Sequence, residues 1–433
     1  MMIANKIGIA VTVRAHEEII IRFIDYHLSK DIDEIYIFFD DPSFNQNIIK
    51  FENDKRIFFI LCDEYYWNKL NNYRFDQTSL VEKPLGIEQR QFSNYEYARR
   101  TSSCGWMANI DIDELIYSPY ALKFFLNILP INYFSIRMRS KEAVYTSHIY
   151  ENDIFNTYFF KSNNKLNEKN SMKFYPEILC SNSGFWGHKL GKILARTTEP
   201  LRHIGNHYLF PLSDDLIVDV EFDFLFLLHF EGLSEKYFIE KQIRRINNDV
   251  VVQRLAKNER ARLNYFSEKY IAGGEEKLKE LYHLMHVFEG NRFEDAIKLG
   301  FIEKIDFKNK YKKFDLYLED FHFSTLSYSV DLNKVVSNKS QKINVFLLQF
   351  VIQQEKKGIL FFVDCNGVYI GLASDGVNLK ANDSVFTKVF DIISLNDFLV
   401  IKNKDSYLIS QKNGVVKFNS KNLGNWELFE IKN

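Results

Sequence analysis

Three acidic residues, Asp111, Asp113 and Glu114, fall within four positions of an otherwise apolar segment that runs from Trp106 to Tyr117. The apolar neighbours predict a buried strand, and an ionised carboxylate is rarely buried without a positive partner. A divalent cation is the simplest partner, because Mg²⁺ and Mn²⁺ prefer oxygen ligands. Side chains alternate along a strand, so we predict that Asp111 and Asp113 face one metal ion while Glu114 faces away. Such an ion could hold a diphosphate, although a solvated turn is the alternative for an isolated Asp-x-Asp pair.

Apolar and helical patterns alternate along the first part of the chain in the manner of a parallel sheet. Continuous apolar runs predict strands, and apolar residues at helical spacing predict the helices between them. In chain order these are a strand at 6–13, a helix at 17–28, strands at 33–39 and 56–62, a helix at 89–103 and a strand at 107–112. A strand, a helix and a second strand in succession form a βαβ unit with a right-handed crossover.

Acidic residues follow two of these predicted strands. Asp40 and Asp41 come directly after the second strand, and Asp111 and Asp113 end the last one. Ligands of open parallel sheets bind at the carboxyl ends of the strands, so this placement favours a ligand site. Asp40 and Asp41 could accept hydrogen bonds from a uracil N–H or a ribose hydroxyl, and Arg14 could cover the base or a phosphate. A solvated acidic turn with Arg14 beside it is the alternative.

Composition excludes several classes of protein. The net charge of −1 provides no basic surface for a nucleic-acid backbone. The four cysteines are widely spaced, which indicates neither a zinc site nor a disulfide framework and fits a reducing cytoplasm. The first residues lack the pattern of a signal peptide, and no run of about 18 apolar residues predicts a membrane span. Basic residues between 235 and 290 are compatible with peripheral contact at the inner face of a membrane.

The length of 433 residues predicts more than one domain. We expect an α/β domain at 1–233 and a helical extension at 234–312, with a break at Gly273-Gly274. Short strand patterns separated by Asn, Asp and Gly turns then predict an all-β domain at 313–433.

The all-β domain contains an internal repeat. Tyr369 matches Tyr407 and Gly376 matches Gly414 at one shared offset, and a fainter copy precedes them. Units of about 40 residues with a few short strands cannot bury their faces alone and should close on one another. The arrangement resembles a β-trefoil of the ricin-type or fascin-like kind, with Trp426 near the usual aromatic position. The ricin-type Gln-x-Trp signature is not intact, which puts sugar binding by this domain in doubt.

Several short motifs of the first 245 residues agree with one family. They are Val13-Arg-Ala-His-Glu17, Phe23-Ile-Asp-Tyr-His-Leu28, Phe39-Asp-Asp-Pro-Ser43, Arg90-Gln91, Trp106, Asp111-Ile-Asp-Glu-Leu115, Gly191-Lys192, His207 and the block from His229 to Lys241. This part of the chain resembles the family 2-like glycosyltransferases with the GT-A fold, which is a Rossmann-like mixed sheet flanked by helices. The central acidic block is the most specific match, whereas Ala15-His16 departs from the Lys-Asn that is common in the family.

The resemblance implies a donor site, a metal site and a cofactor. It implies transfer with inversion from a nucleotide-diphosphate sugar, assisted by Mn²⁺ or Mg²⁺. Combined with the acids at the strand ends, it predicts donor contacts from Val13, Arg14, Asp40, Asp41, Gln91, Asp111, Lys192, His207 and Ser234. The predicted metal ligands are Asp111, Asp113 and His229. Ordinary surface roles are the alternative for Lys192 and His207, and a core histidine is the alternative for His229.

An inverting transferase also needs a carboxylate that takes a proton from the acceptor hydroxyl. No motif selects this base, and Asp223, Glu221 and Glu177 are weak candidates. We therefore predict a cytoplasmic transferase that uses a UDP-sugar and a saccharide or glycolipid acceptor of a bacterial surface polysaccharide. One alternative is a nucleotidyl- or phosphoryl-transferring enzyme, but the first strand is not followed by a Gly-rich phosphate loop. Another is a non-catalytic carbohydrate-binding protein that uses its trefoil-like domain.

Overall fold

The structure is a computed structural model, and its residues divide into two compact units. It describes residues 6–44, 49–70, 83–146, 154–162, 170–180, 184–187, 190–205, 207–247, 257–309, 311, 317–338, 345–353, 356–366, 369–381, 389–395 and 398–432. The first unit takes its residues from Met1–Tyr117, Arg137–Leu212 and Leu225–Asn309. The second unit combines Ser118–Ile136 and Ser213–Phe224 with Lys310–Asn433. The helical segment predicted from residue 234 therefore belongs, up to Asn309, to the same unit as the first strands.

A parallel sheet forms the centre of the first unit. Its strands are β1 (Ile7–Val13), β2 (Glu34–Phe39), β3 (Ile57–Leu61) and β4 (Trp106–Asn109). They lie in the order β3-β2-β1-β4, and each neighbouring pair is parallel. Nearly all residues of β1, β2 and β4 are buried, as expected for strands that are covered on both faces. The predicted βαβ arrangement is confirmed.

Three helices connect these strands. They are α1 (Glu17–Ser29), α2 (Glu64–Leu70) and α3 (Ile87–Thr101). The histidine of α1 that matches the family motif has a structural role. His27 Nδ1 lies 2.9 Å from the carbonyl oxygen of Phe23, and His27 Nε2 accepts the backbone N–H of Ile116 at 3.2 Å. Burial lowers the pKa of His27 to about 3, so the neutral ring joins the helix to the sheet.

Antiparallel strands extend the first unit beyond β4. They are β5 (Glu114–Tyr117), β6 (Ser135–Val144), β7 (Phe159–Lys161), β8 (Lys192–Arg196), β9 (Leu201–Ile204), β10 (Leu209–Pro211), β11 (Val220–His229) and β12 (Ile302–Lys304). The first residues of β6 and β11 belong to the second unit. Strand β8 pairs with β4, and β11 pairs with β5. The second pairing sets His229 opposite Glu114, which brings the end of β11 to the acidic cluster.

A short helix of the second unit, α4 (Leu122–Asn127), precedes three further helices of the first unit: α5 (Glu235–Ile246), α6 (Lys257–His286) and α7 (Gly290–Lys298). These three helices lie within the segment that was predicted to be helical, although strand β12 also falls within its bounds. Gly273 and Gly274 have non-helical backbone angles inside α6, at the position of the predicted break. Phe238, Tyr282 and other apolar residues of this segment are fully buried in a common core. Within the described ranges, no helix is both long and apolar enough to cross a membrane.

Antiparallel strands build the second unit together with α4. They are β13 (Tyr317–Asp320), β14 (Thr325–Ser329), β15 (Lys334–Asn338), β16 (Val345–Leu347), β17 (Gln349–Gln353), β18 (Lys357–Val363), β19 (Tyr369–Ser374), β20 (Leu379–Ala381), β21 (Val389–Leu395), β22 (Phe398–Asn403), β23 (Ser406–Ser410), β24 (Val416–Ser420) and β25 (Phe429–Lys432). The expected all-β character is confirmed.

The sequence repeat appears in the strand pairing. Strand β17 pairs with β18, β21 with β22, and the last strand β25 with β13, so the sheet nearly closes on itself. The two matching glycines occupy equivalent hairpin turns, with φ of 103° at Gly376 and 85° at Gly414. A positive φ is readily adopted only by glycine, which explains why this residue recurs.

Candidate functional site

The two aspartates of the acidic cluster lie in a turn, and Glu114 opens the strand that follows it. Strand β4 ends at Asn109 and β5 begins at Glu114, so Asp111 and Asp113 lie in the connection. The Asp111 N–H donates to Glu114 Oε2 at 2.8 Å, and the Glu114 N–H donates to the Asp111 carbonyl at 3.0 Å. The prediction that strand alternation orients the two aspartates alike is wrong, because this reciprocal pair of hydrogen bonds turns the chain.

Asp111 is held by two residues that were predicted for the donor site. Gln91 Nε2 donates to Asp111 Oδ1 at 2.7 Å, and Lys192 Nζ donates to Asp111 Oδ2 at 3.0 Å. Lys192 is buried, and its Nζ is also 4.0 Å from Glu114 Oε2. Burial opposes the charge of Asp111, yet the Lys192 ammonium lowers its pKa, whereas burial raises the pKa of Glu114 to about 7. Asp111 is therefore an ionised group with one face toward solvent, its side chain being 38% exposed.

Asp113 belongs to a different group of side chains. One ligand atom from each of Asp113, His229 and Glu231 lies within 4.8 Å of the others, and all three residues are buried. His229 Nε2 is 3.4 Å from Glu231 Oε2 and 3.9 Å from Asp113 Oδ1. The structure thus brings together two of the predicted ligands, adds Glu231, and holds Asp111 apart with Gln91 and Lys192. Sequence reasoning missed Glu231, which lies in the turn after β11, two residues beyond His229.

Two positively charged side chains of helix α5, Lys241 and Arg245, contact this group. Ser234 caps the helix by accepting the Tyr237 N–H at 3.2 Å, so the predicted donor contact of Ser234 is a structural cap here. Lys241 Nζ donates to Asp113 Oδ2 at 2.8 Å and to Glu231 Oε2 at 2.6 Å. Arg245 Nη1 donates to the other oxygen of Glu231 at 3.3 Å.

The neighbouring charges raise the pKa values of His229 and Lys241 and lower the pKa of Glu231. Burial disfavours a charge on His229, but the Glu231 and Asp113 carboxylates raise its pKa to about 9. Burial likewise disfavours the charges of Glu231 and Lys241. The Lys241 ammonium nevertheless lowers the pKa of Glu231, and the Asp113 and Glu231 carboxylates raise the pKa of Lys241. A metal ion would have to displace the proton from His229, since only the neutral ring binds a metal.

A second buried layer of charged side chains lies next to His229. Its Nδ1 lies 3.7 Å from Glu142 Oε1, and the fully buried Glu142 is paired with the fully buried Lys161 at 2.9 Å. Glu142 also accepts the backbone N–H groups of Trp186 at 2.8 Å and Gly187 at 3.0 Å. A Cβ atom at position 187 would lie 2.4 Å from the His229 ring, so glycine leaves room for the ring. In metal-binding histidines the second ring nitrogen commonly donates to a carboxylate, and here Glu142 lies near that nitrogen at 3.7 Å without a hydrogen bond.

The donor atoms fit a divalent cation. Two carboxylates and one imidazole are suitable ligands for Mn²⁺, and the carboxylate oxygens are also suitable ligands for Mg²⁺. Neighbouring ligands at about 2.1 Å from an ion lie about 3 Å apart. The separations of 3.4 Å and 3.9 Å from His229 Nε2 to Glu231 and Asp113 are therefore close to what an ion requires. The same carboxylates also hold the Lys241 ammonium, so a cation of the protein already neutralises part of the group.

The ends of β1 and β2 present the other predicted acids. Asp40 forms a bidentate pair with Arg90, with distances of 2.6 Å and 3.0 Å, and its N–H donates to the Val13 carbonyl at 3.0 Å. Asp41 remains 30% exposed beside Arg14 at 3.5 Å. A hydrogen bond from the Ser43 hydroxyl lowers the pKa of Asp41, with Arg14 contributing. Asp41 and Arg14 are thus the more accessible pair at this edge, while Asp40 is committed to Arg90.

Gly191 places Lys192 and contacts His207. Its φ is +68°, and a Cβ atom there would lie 1.8 Å from the Met138 carbonyl oxygen. His207 Nδ1 lies 2.7 Å from the Gly191 carbonyl oxygen, so the predicted donor residue His207 is tied to the same turn. Only glycine permits this backbone approach, and the next residue carries the ammonium that pairs with Asp111.

Gly191→Ala should therefore destabilise the protein and displace Lys192. The matched control is Gly300→Ala, since Gly300 also has a positive φ (+66°) but its Cβ would meet no atom within 4 Å. The control should cost about 1–2 kcal/mol for its backbone conformation. Gly191→Ala should cost about 1–3 kcal/mol more because of overpacking, as measured by urea unfolding. Equal costs would contradict the close approach described for Gly191.

The candidates for the catalytic base lie in different units. Glu221 and Asp223 are on the part of β11 that belongs to the second unit, and Glu177 is an exposed residue of the first unit. The base therefore remains unassigned. No protein-family model matches the sequence, and a search of curated proteins returns no match. The chemistry of the site must accordingly be inferred from its own residues.

Proposed function

We propose that the protein is a metal-dependent glycosyltransferase that moves a sugar from a nucleotide-diphosphate donor, with UDP as the nucleotide. The acceptor is a saccharide or glycolipid of a bacterial surface polysaccharide, and the transfer inverts the anomeric carbon. The observation that carries the proposal is the buried group of Asp113, His229 and Glu231 beyond the carboxyl end of β4. Ligand sites of open α/β sheets occur at this edge.

The charges around the group support transfer from a diphosphate. Breaking a sugar–phosphate bond leaves about two negative charges on the departing diphosphate, which the enzyme must stabilise. A divalent ion held by Asp113, His229 and Glu231 would act there as a Lewis acid. Lys192, which is placed by Gly191, would add a fixed positive charge next to Asp111. Since Lys192 is buried, its charge acts at a lower dielectric than in water.

The ends of β1 and β2 support binding of the nucleoside. Asp41 is ionised and partly exposed, so it can accept hydrogen bonds from a ribose hydroxyl or a base N–H. Arg14, at 3.5 Å from Asp41, can cover the base or pair with a phosphate. Asp40 forms an ion pair with Arg90 at this edge of the sheet and is not proposed as a direct ligand.

For the second unit we infer a β-trefoil. The support is the threefold recurrence of one pairing, in which β17, β21 and β25 each pair with the strand that opens the next repeat. A common core collects apolar residues from all three repeats, among them Leu318, Phe362 and Leu408. We assign this unit no part in the transfer reaction.

Nucleotide-dependent stabilisation tests the proposal. UDP and Mn²⁺ together should raise the melting temperature of the full-length protein, because a ligand that binds only the folded state stabilises it by mass action. When the free ligand concentration is a hundred times its Kd, the free energy of unfolding increases by about 2.7 kcal/mol. A screen of nucleotide sugars for Mn²⁺-dependent hydrolysis identifies the donor.

The alternative of a non-catalytic carbohydrate-binding protein predicts a different outcome. Saccharides would then raise the melting temperature, and no nucleotide would do so in the presence of Mn²⁺. That result, together with no hydrolysis of any nucleotide sugar, would reject the transferase.

A further inference from the structure

Lys241 and a divalent cation require the same oxygen atoms. Glu231 Oε2 faces His229 Nε2 at 3.4 Å and accepts a hydrogen bond from Lys241 Nζ at 2.6 Å. The other oxygen of Glu231 is engaged by Arg245. An ion bound by His229 and Glu231 would therefore have to share an oxygen with the ammonium or displace it.

The Lys241 ammonium is also held firmly where it lies. Its side chain is only 17% exposed, and it bridges Asp113 and Glu231 at 2.8 Å and 2.6 Å. Helix α5 carries it on a well-anchored backbone, since Phe238 and Gln242 of the same helix are buried. An ammonium in this position repels a dication strongly, because charges only a few ångströms apart interact in a medium of low dielectric.

We propose that Lys241 is a tethered counter-ion that competes with a divalent cation for the carboxylates of Asp113 and Glu231. The inference rests on the metal site of the proposed function. Without an ion, the ammonium keeps two buried carboxylates from repelling each other. When an ion enters, the ammonium leaves Glu231 and can pair with an anion, such as the diphosphate of a donor. Binding of a free ion is thereby made weaker than the ligand set alone would allow.

Titration of the nucleotide-free, full-length protein with Mn²⁺ alone tests this role. Free Mn²⁺ is followed by electron paramagnetic resonance, so no enzymatic activity is needed. Lys241→Met, which keeps the length of the side chain, should bind Mn²⁺ at least about tenfold more tightly than wild type. Lys279→Met is the matched control, because Lys279 forms an exposed pair with Glu276 on α6. The control should bind like wild type.

Two further variants keep the test decisive. Adding His229→Ala to Lys241→Met should abolish the gain, which places the ion at the proposed group. If Lys241→Met does not fold, Lys241→Gln removes the charge while retaining a hydrogen-bond donor and replaces it in the comparison. Equal Mn²⁺ affinity of wild type and the Lys241 variant would overturn the counter-ion role and leave the metal site standing. No Mn²⁺ binding by any of these proteins would overturn both.

Discussion

Replacing Asp113 with asparagine should abolish Mn²⁺ binding and reduce sugar transfer by more than about 100-fold, since a catalytic ion contributes several kcal/mol to transition-state stabilisation. The protein should stay folded, because Lys241 keeps Glu231 as a partner and the backbone bond from Phe230 to the Asp113 carbonyl is unchanged. Mn²⁺ titration, transfer kinetics and circular dichroism check the three parts of this result.

Asp111→Asn provides the matched comparison. Asp111 pairs with Gln91 and Lys192, whereas Asp113 lies in the group with His229. The Asp111 variant should therefore bind Mn²⁺ nearly as wild type does in the absence of nucleotide, but use the donor poorly. If both variants lose Mn²⁺ binding to the same degree, Asp111 is a metal ligand, as the family resemblance implies.

The elements of the parallel sheet could be predicted because their signals are local. The apolar runs of β1 and β2 and the helical spacing of α1 depend only on neighbours in the sequence. The acidic cluster could not be predicted in the same way. Its apolar flanks continue the strand pattern, but the Asp111–Glu114 hydrogen bonds end the strand at Asn109. A turn that is stabilised by a side-chain hydrogen bond does not change the spacing of the apolar residues, so the sequence pattern does not reveal it.

The partners of the site were still less accessible from the sequence. Glu142 on β6 reaches His229 through strand pairings that join distant segments, and no local pattern marks it. Glu231 follows His229 by two residues, yet acids near strand ends are common and this one gave no further signal. Gln91 and Asp111, which were both assigned to the donor site, are hydrogen-bonded to each other, whereas Glu142 and Glu231 were assigned to no site.

The site is organised in two layers of opposite charges. Asp113 and Glu231 face Lys241 in the outer layer, and Glu142 faces Lys161 behind the His229 ring. In the outer layer the Lys241 side chain is 17% exposed to solvent, whereas Glu142 and Lys161 of the inner layer are both fully buried. The two layers should therefore respond differently to mutation: the outer one through ligand binding, the inner one through stability.

Lys161→Met should lower the free energy of unfolding by about 3–5 kcal/mol, the usual cost of leaving one member of a buried ion pair alone. Lys161 Nζ donates to Glu142 and, at 2.8 Å, to the Gly184 carbonyl, so Glu142 loses its charged partner and the carbonyl loses this donor. Burial lowers the pKa of Lys161, and the Glu142 carboxylate opposes this shift by favouring the ammonium. Urea unfolding measures the loss.

Two controls separate the buried charge from the loss of contacts. Lys357→Met removes a lysine of an exposed pair with Asp391 and should cost less than about 1 kcal/mol. The double variant Glu142→Gln/Lys161→Met removes both buried charges, and the glutamine oxygen can still accept the N–H groups of Trp186 and Gly187. It should be more stable than Lys161→Met alone, since no unpaired carboxylate remains in the core. Equal stability of the single and double variants would mean that lost packing, and not the isolated Glu142 charge, causes the destabilisation.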